Sequence, residues 1–147
     1  RLSRIKQLGM SHLVYPGAFH TRFHHTIGAM HLMMQAVNVI RKKGHEITKK
    51  EELAVLIAIL LHDIGHGPYS HALEHDFVKN IHHEQLSYYF IQAFKIEFPE
   101  HVESLDRALM IFTNKYSKKF LHQLVSSQLD MDRLDYLTRD SFFTGVS

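Results

Sequence analysis

An all-α fold, a helical bundle, is what this sequence predicts, and three observations predict it. Apolar residues recur at three- and four-residue steps, no stretch sustains a period of two, and no internal repeat divides the chain. The 147 residues suit one domain with a core of its own. A hydrophobic content of 45% fits a folded chain and argues against disorder.

The elements follow in order. The first long helix is expected over residues 21–41, with Ile27, Met30, Met34 and Val37 on one face. Lys42-Lys43-Gly44 makes a stop, with cations near the C-terminus and glycine just past it. Thr48 and Glu51 have the spacing of a capping box for the next helix. That helix carries an unbroken apolar run over residues 53–61, and a helix apolar on all sides belongs in the centre of a domain. It delivers His62 and Asp63 before Gly65, Gly67 and Pro68 break it. A short helical turn is expected from Ser70. A further helix follows over residues 82–98, with Leu86, Phe90, Ala93 and Phe94 inward and Pro99 beyond its end. Helices over 102–112, 118–129 and 130–140 complete a bundle of six or seven elements.

Composition narrows the chemistry. With no cysteine there is neither a disulfide framework nor a thiolate metal site, so any metal needs imidazole and carboxylate ligands. A net charge of +2 does not point to nucleic acid or a membrane surface. No apolar run reaches the ~20 residues of a membrane span, and no signal peptide is visible. A cytoplasmic protein is the expectation, and the abrupt ends suggest a piece of a longer one. Histidine is the unusual count, 14 residues, and it is both the commonest metal ligand and the usual acid or base near neutral pH.

Three segments gather these groups. His62-Asp63 ends the buried helix, where a carboxylate must be paired or metal-bound to offset lost hydration. His66 follows His62 by four residues, and His71 and His75 repeat that spacing. Adjacent residues do not share a helix face, so an ion held by His62 and Asp63 would need other helices to complete its shell. Arg22-Phe23-His24-His25 opens the first long helix and offers an imidazole and an anion clamp, or else two solvated histidines. In the last helix Asp132, Tyr136 and Asp140 share a face, which is either a solvated exterior or a cavity wall.

The segment His62-Asp63-Ile64-Gly65-His66-Gly67-Pro68-Tyr69-Ser70-His71 resembles the second motif of HD-domain deoxynucleoside triphosphate triphosphohydrolases. Other segments match that family in the same order: residues 1–9 with Ile5-Lys6-Gln7-Leu8-Gly9, then Tyr15-Pro16-Gly17-Ala18, Arg22-Phe23-His24-His25, His83-Glu84-Gln85 and residues 130–140. The resemblance implies an HD-domain helical bundle spanning residues 1–147 as a single domain. It implies that His25, His62, Asp63 and Asp132 hold a divalent metal ion (iron, manganese, magnesium, nickel or zinc). By the same likeness His66, His71 and His83 line the phosphate site, with His71 as general acid and Glu74 as its carboxylate partner. Arg22 and Arg133 resemble phosphate contacts, and Gln7, Leu8, Tyr136 and Asp140 resemble residues around the sugar. His24, Glu74, Arg133 and Leu134 depart from the residues that relatives often carry there: glutamate, aspartate, lysine and tryptophan.

The residue types suit the implied reaction, hydrolysis of a dNTP at the α-phosphorus to deoxynucleoside and triphosphate. Such hydrolysis needs a positioned water, neutralised phosphoryl oxygens and a protonated leaving oxygen. Arginine binds anionic oxygens in pairs. A histidine held protonated by a carboxylate can donate to the leaving group. The resemblance also implies a homo-oligomer, a dimer or tetramer. Two other readings stand beside it: an HD phosphodiesterase or phosphatase acting on another nucleotide or phosphate ester, and a non-catalytic HD module that holds nucleic acid or a partner. The lysine pairs at 42–43, 49–50 and 118–119 read as solvated helix ends, which argues against nucleic acid.

Overall fold

Thr21 opens the first helix, α1 (Arg22–Lys42), through a capping box in which histidine does the work of an acid. His24 Nδ1 accepts the Thr21 backbone N–H at 3.1 Å, while the Thr21 hydroxyl accepts the His24 N–H. His24 is exposed, and this cap is its structural task. In this computed structural model residues 1–69 and 82–146 are described. The following helices are α2 (Lys49–Leu61), α3 (His83–Glu97), α4 (Val102–Phe112), α5 (Lys119–Val125) and α6 (Met131–Thr144). Among the described residues the only strand-like pairing is an isolated bridge between Lys6 and Thr21. It ties the N-terminal segment to the start of α1, with the Arg22 N–H on Ile5 O at 2.9 Å.

Helix α2 is the centre of the bundle and packs against α1, α4 and α5. Its Ala54, Val55, Ala58 and Ile59 are fully buried against Ala29, Met33 and Val37 of α1 and Ile111 of α4. Complete burial of each of the larger side chains here, Met33, Val37, Val55, Ile59 and Ile111, contributes ~1.5–3 kcal/mol. A second cluster, Ile91, Leu105 and Leu109, joins α3 to α4, with Ile57 and Leu61 of α2 against it. The predicted capping box of α2 forms: Thr48 Oγ1 accepts the Glu51 N–H at 3.2 Å and Glu51 Oε2 accepts the Thr48 N–H at 2.8 Å. Glu51 also receives Lys118 Nζ at 2.9 Å and the Tyr116 hydroxyl at 3.0 Å. Lys118 is therefore a paired cation and not a solvated helix end.

Two expectations shift. The inward face of α1 is Thr26, Ala29, Met33 and Val37, while Ile27 and Met34 are more than two-fifths exposed. Helix α5 stops at Val125, four residues early, because residues 126–129 turn towards Asp130, whose side chain caps α6 by accepting the Arg133 N–H at 2.7 Å. The turn expected from Ser70 lies outside the described residues. Among the described residues no helix is long and apolar enough to cross a membrane.

Candidate metal centre

The apolar run of α2 leads directly to the site. His62 caps the helix, and its Nδ1–H donates to Ile59 O at 2.6 Å. That bond leaves Nε2 with a lone pair facing away from the helix. Ser87, wholly buried on α3, pins the turn that follows: its hydroxyl donates to His62 O at 2.6 Å and accepts the Gly65 N–H at 2.9 Å. A side chain at residue 65 would come within 2.1 Å of His83 O, so only glycine lets α3 lie against this turn.

Helices α1 and α6 supply the other half. His25 is fully buried on α1, and its Nδ1–H donates to Asp135 Oδ2 of α6 at 2.8 Å. Asp135 is in turn gripped by Arg139, Nε at 2.9 Å and Nη2 at 2.8 Å. Gly28 makes room for this pair, since a Cβ there would stand 2.0 Å from Asp135 Oδ1. A carboxylate behind a histidine fixes the tautomer and raises the ring's basicity as a ligand.

Both Nε2 atoms therefore face one point. His25 Nε2 lies 2.9 Å from Asp132 Oδ1 and 3.9 Å from Asp63 Oδ2, and His62 Nε2 lies 3.3 Å from Asp63 Oδ1 and 3.4 Å from Asp132 Oδ1. Donors ~2.1 Å from one ion stand ~3 Å apart in an octahedron and ~3.4 Å apart in a tetrahedron. The two Nε2 atoms are buried and make no directed hydrogen bond among the described residues. Orphaned lone pairs at ligand-to-ligand spacing make His25, His62 and Asp63 a group that could hold a metal ion, with Asp132 Oδ1 beside both imidazoles.

The electrostatics carry the same demand for positive charge. Burial opposes protonation of His62, yet Asp63 and Asp132 overcome it and carry its pKa up to about 9. His25 is raised as well, with Asp132 and Asp135 outweighing burial. Burial pushes Asp63 up, but His62, His66 and Arg22 hold it well below the usual carboxylate range. Asp132 is lowered in the same way by the two imidazoles. Burial depresses His66, only partly offset by Asp63 at 3.3 Å.

Above this floor lies a cleft of about 370 Å³, a size that suits a small ligand. Its walls include Gln7, Leu8, Arg22, His62, Asp63, His66, His83, Asp132, Tyr136 and Asp140. The face of α6 that carries Asp132, Tyr136 and Asp140 is thus a cavity wall and not an exterior. Arg22 is buried and ion-paired with Asp63, and the His66 and His83 rings stack with centroids 3.9 Å apart. Arg133 is exposed and is not among the residues that line the cleft. His71 and Glu74 lie outside the described residues. Sequence reasoning missed Asp135, Arg139 and His20. A signal for the first two was present: Asp135 follows Asp132 by three residues and precedes Arg139 by four, a helical ion-pair spacing beside a proposed ligand.

Two imidazoles and two carboxylates at the heart of a helical bundle define a class, and comparison agrees. A family model described as HD domain matches residues 22–140, and the chain belongs to the HD domain family. A phosphohydrolase from Bacteroides thetaiotaomicron is 54% identical with a TM-score of 0.95, the match covering 100% of this chain and 36% of that one. An uncharacterized protein of Mycoplasma pneumoniae is 40% identical over 160 residues, covering 100% of this chain and 37% of its own length. The deoxynucleoside triphosphate triphosphohydrolase SAMHD1 homolog of Dictyostelium discoideum is 34% identical over 167 residues, covering 100% of this chain and 32% of its own. The chain spans about a third of the length of the curated relatives it matches.

Proposed function

We propose that this chain is the HD core of a metal-dependent phosphohydrolase that converts deoxynucleoside triphosphates to deoxynucleosides and triphosphate. The observation that carries this is the convergence of His25, His62, Asp63 and Asp132 at a cleft lined by two chemically different sets of residues. Arg22, His66 and His83 suit anionic phosphoryl oxygens. Gln7, Leu8, Tyr136 and Asp140 suit a sugar: an apolar and aromatic surface with a hydroxyl acceptor. Similarity to triphosphohydrolases of the SAMHD1 type supports the same substrate.

In this reading a divalent cation, held by the four ligands, supplies Lewis acidity to a phosphoryl oxygen and lowers the pKa of water. Arg22 orients the phosphate while its Nη1 holds Asp63 in place. His66 and His83, stacked, present ring N–H groups to the phosphate chain. Tyr136 supports the sugar and Asp140 accepts a sugar hydroxyl. His71, backed by Glu74, is the proton donor to the leaving oxygen on the resemblance alone. Arg133 contacts phosphate only if its exposed side chain swings towards the cleft. By resemblance, too, the full-length protein acts as a homo-oligomer in the cytoplasm, and light scattering checks the oligomer.

The test is product analysis. Metal-loaded full-length protein is incubated with dNTPs, NTPs, cyclic nucleotides and phosphate monoesters, and products are identified by mass. Triphosphate and deoxynucleoside from a dNTP is the expected result. Turnover of the other esters alone would replace this reading with the second, and no turnover with no metal retained would end both.

A further inference from the structure

Behind the wall that carries Gln7, Leu8 and Asp140 lies a histidine with no role so far. His20 is 2% exposed, and its side chain is wholly buried. Its backbone carbonyl accepts the Gln7 N–H at 3.0 Å. Its Nε2 stands 2.6 Å from Asp140 Oδ1, and its ring stacks on Phe143 with centroids 4.6 Å apart and planes 15° from parallel. One residue thus braces two members of the same wall, Gln7 through its main chain and Asp140 through its imidazole.

The other ring nitrogen says where the proton lies. His20 Nδ1 is buried and has no hydrogen-bond partner among the described residues. A ring protonated at Nδ1 would bury an N–H against nothing that accepts it, which is unfavourable. The proton therefore belongs on Nε2, where it donates to Asp140. Asp140 is 21% exposed at the side chain and opens on the cleft. With Oδ1 engaged by His20, Oδ2 remains as the second acceptor of a side chain that lines the cleft. Such a group receives a hydroxyl or amine donor and repels phosphoryl oxygens, so it gives the cleft a direction.

We propose that His20 is a positioning residue that donates from Nε2 to Asp140 Oδ1 and so sets Asp140 Oδ2 to receive a hydroxyl of the substrate sugar. This rests on the preceding reading of the cleft, with the sugar along Gln7, Tyr136 and Asp140. Loss of the imidazole leaves the metal ligands untouched and loosens the selection for a hydroxyl-bearing sugar.

The experiment compares a dNTP with its 3′-deoxy analogue on metal-loaded full-length protein. Four variants are used: His20→Phe, His20→Gln, Asp140→Asn and the double variant H20F/D140N. Phenylalanine keeps the stacking on Phe143 and removes the donor, while glutamine keeps an N–H near the same reach. Wild type is expected to favour the hydroxyl-bearing substrate. H20F lowers that preference in kcat/KM about tenfold or more, mainly through KM, with metal content unchanged. H20Q retains most of it, and the double variant is no worse than D140N. An unchanged preference in H20F, or effects of H20F and D140N that add in full, overturns the proposal. Nitrogen NMR of the labelled imidazole decides the pairing without any variant: a proton on Nε2 with Nδ1 bare is expected, and a proton on Nδ1 refutes it. If wild type releases no triphosphate from any dNTP, the functional reading falls and takes the sugar's place at Asp140 with it. The NMR result still stands or fails separately.

Discussion

Asp135 is where the carboxylate behind the proposed metal centre can be tested most cleanly, because it backs His25 without being among the residues that line the cleft. Replacing it with alanine removes the acceptor of the His25 Nδ1–H, now 2.8 Å away, and both acceptors of Arg139. The buried Nδ1–H is then unsatisfied, which costs folding about 1–3 kcal/mol. Freed of its partner, the His25 ring can turn or shift its proton to Nε2, the atom that faces the proposed ion. Losses of this kind weaken metal affinity about 10- to 100-fold, or about 1.4–2.7 kcal/mol. Asp135→Asn keeps an oxygen for His25 and gives up one acceptor of Arg139, so its loss should stay under about tenfold. The assay is calorimetric titration of metal into metal-free full-length protein, with thermal melts alongside. If D135A binds metal within about twofold of wild type while its Tm falls, Asp135 serves packing alone and the reasoning is wrong.

Other predictions follow from the same contacts. Gly28→Ala places a Cβ 2.0 Å from Asp135 Oδ1 and 2.1 Å from Arg139 Nη2, so it should displace that pair and weaken metal binding without removing a charge. Ile59→Ala, at a fully buried position of α2, should cost about 2–5 kcal/mol in denaturant unfolding and leave the metal affinity of the folded protein unchanged. Glu51 titrates at about 2 in the folded chain: burial pushes it up, but the Thr48 N–H, Lys118 and Tyr116 overcome that. Against its ordinary value of 4.5, this is worth about 3 kcal/mol. The contribution is complete above pH 4.5 and is lost as pH falls towards 2, because the unfolded chain takes up the proton first. Glu51→Gln should therefore flatten the acid limb of wild-type stability by about that amount in pH-resolved melts.

Much of the fold was legible in the sequence because local chemistry decides it. The Thr48–Glu51 cap, the apolar run of α2 and the delivery of His62 and Asp63 from its end all depend on residues within one or two helical turns. The turn of α1 about its own axis was not legible. Ile27, Met30, Met34 and Val37 make a valid stripe, but Gly28 lets Asp135 and Arg139 approach one side, and Ala29 and Met33 turn towards α2. Small residues set the close approaches, and a hydrophobic pattern undercounts them. The Asp132–Tyr136–Asp140 face reads equally as exterior or cavity until the residues that share the cleft with it, Arg22 and His66 among them, are in place. His20 and Asp135 act from behind the site, through contacts 120 and 110 residues apart in sequence, which no local spacing reveals.

The central claim is that His25, His62, Asp63 and Asp132 bind one divalent cation at the floor of the cleft. Anomalous scattering from crystals of the full-length protein soaked with manganese tests it most directly. The prediction is a single dominant peak about 2.0–2.3 Å from both Nε2 atoms and from an oxygen of each aspartate. A peak held by other residues, or none where the protein is fully ordered, would contradict it.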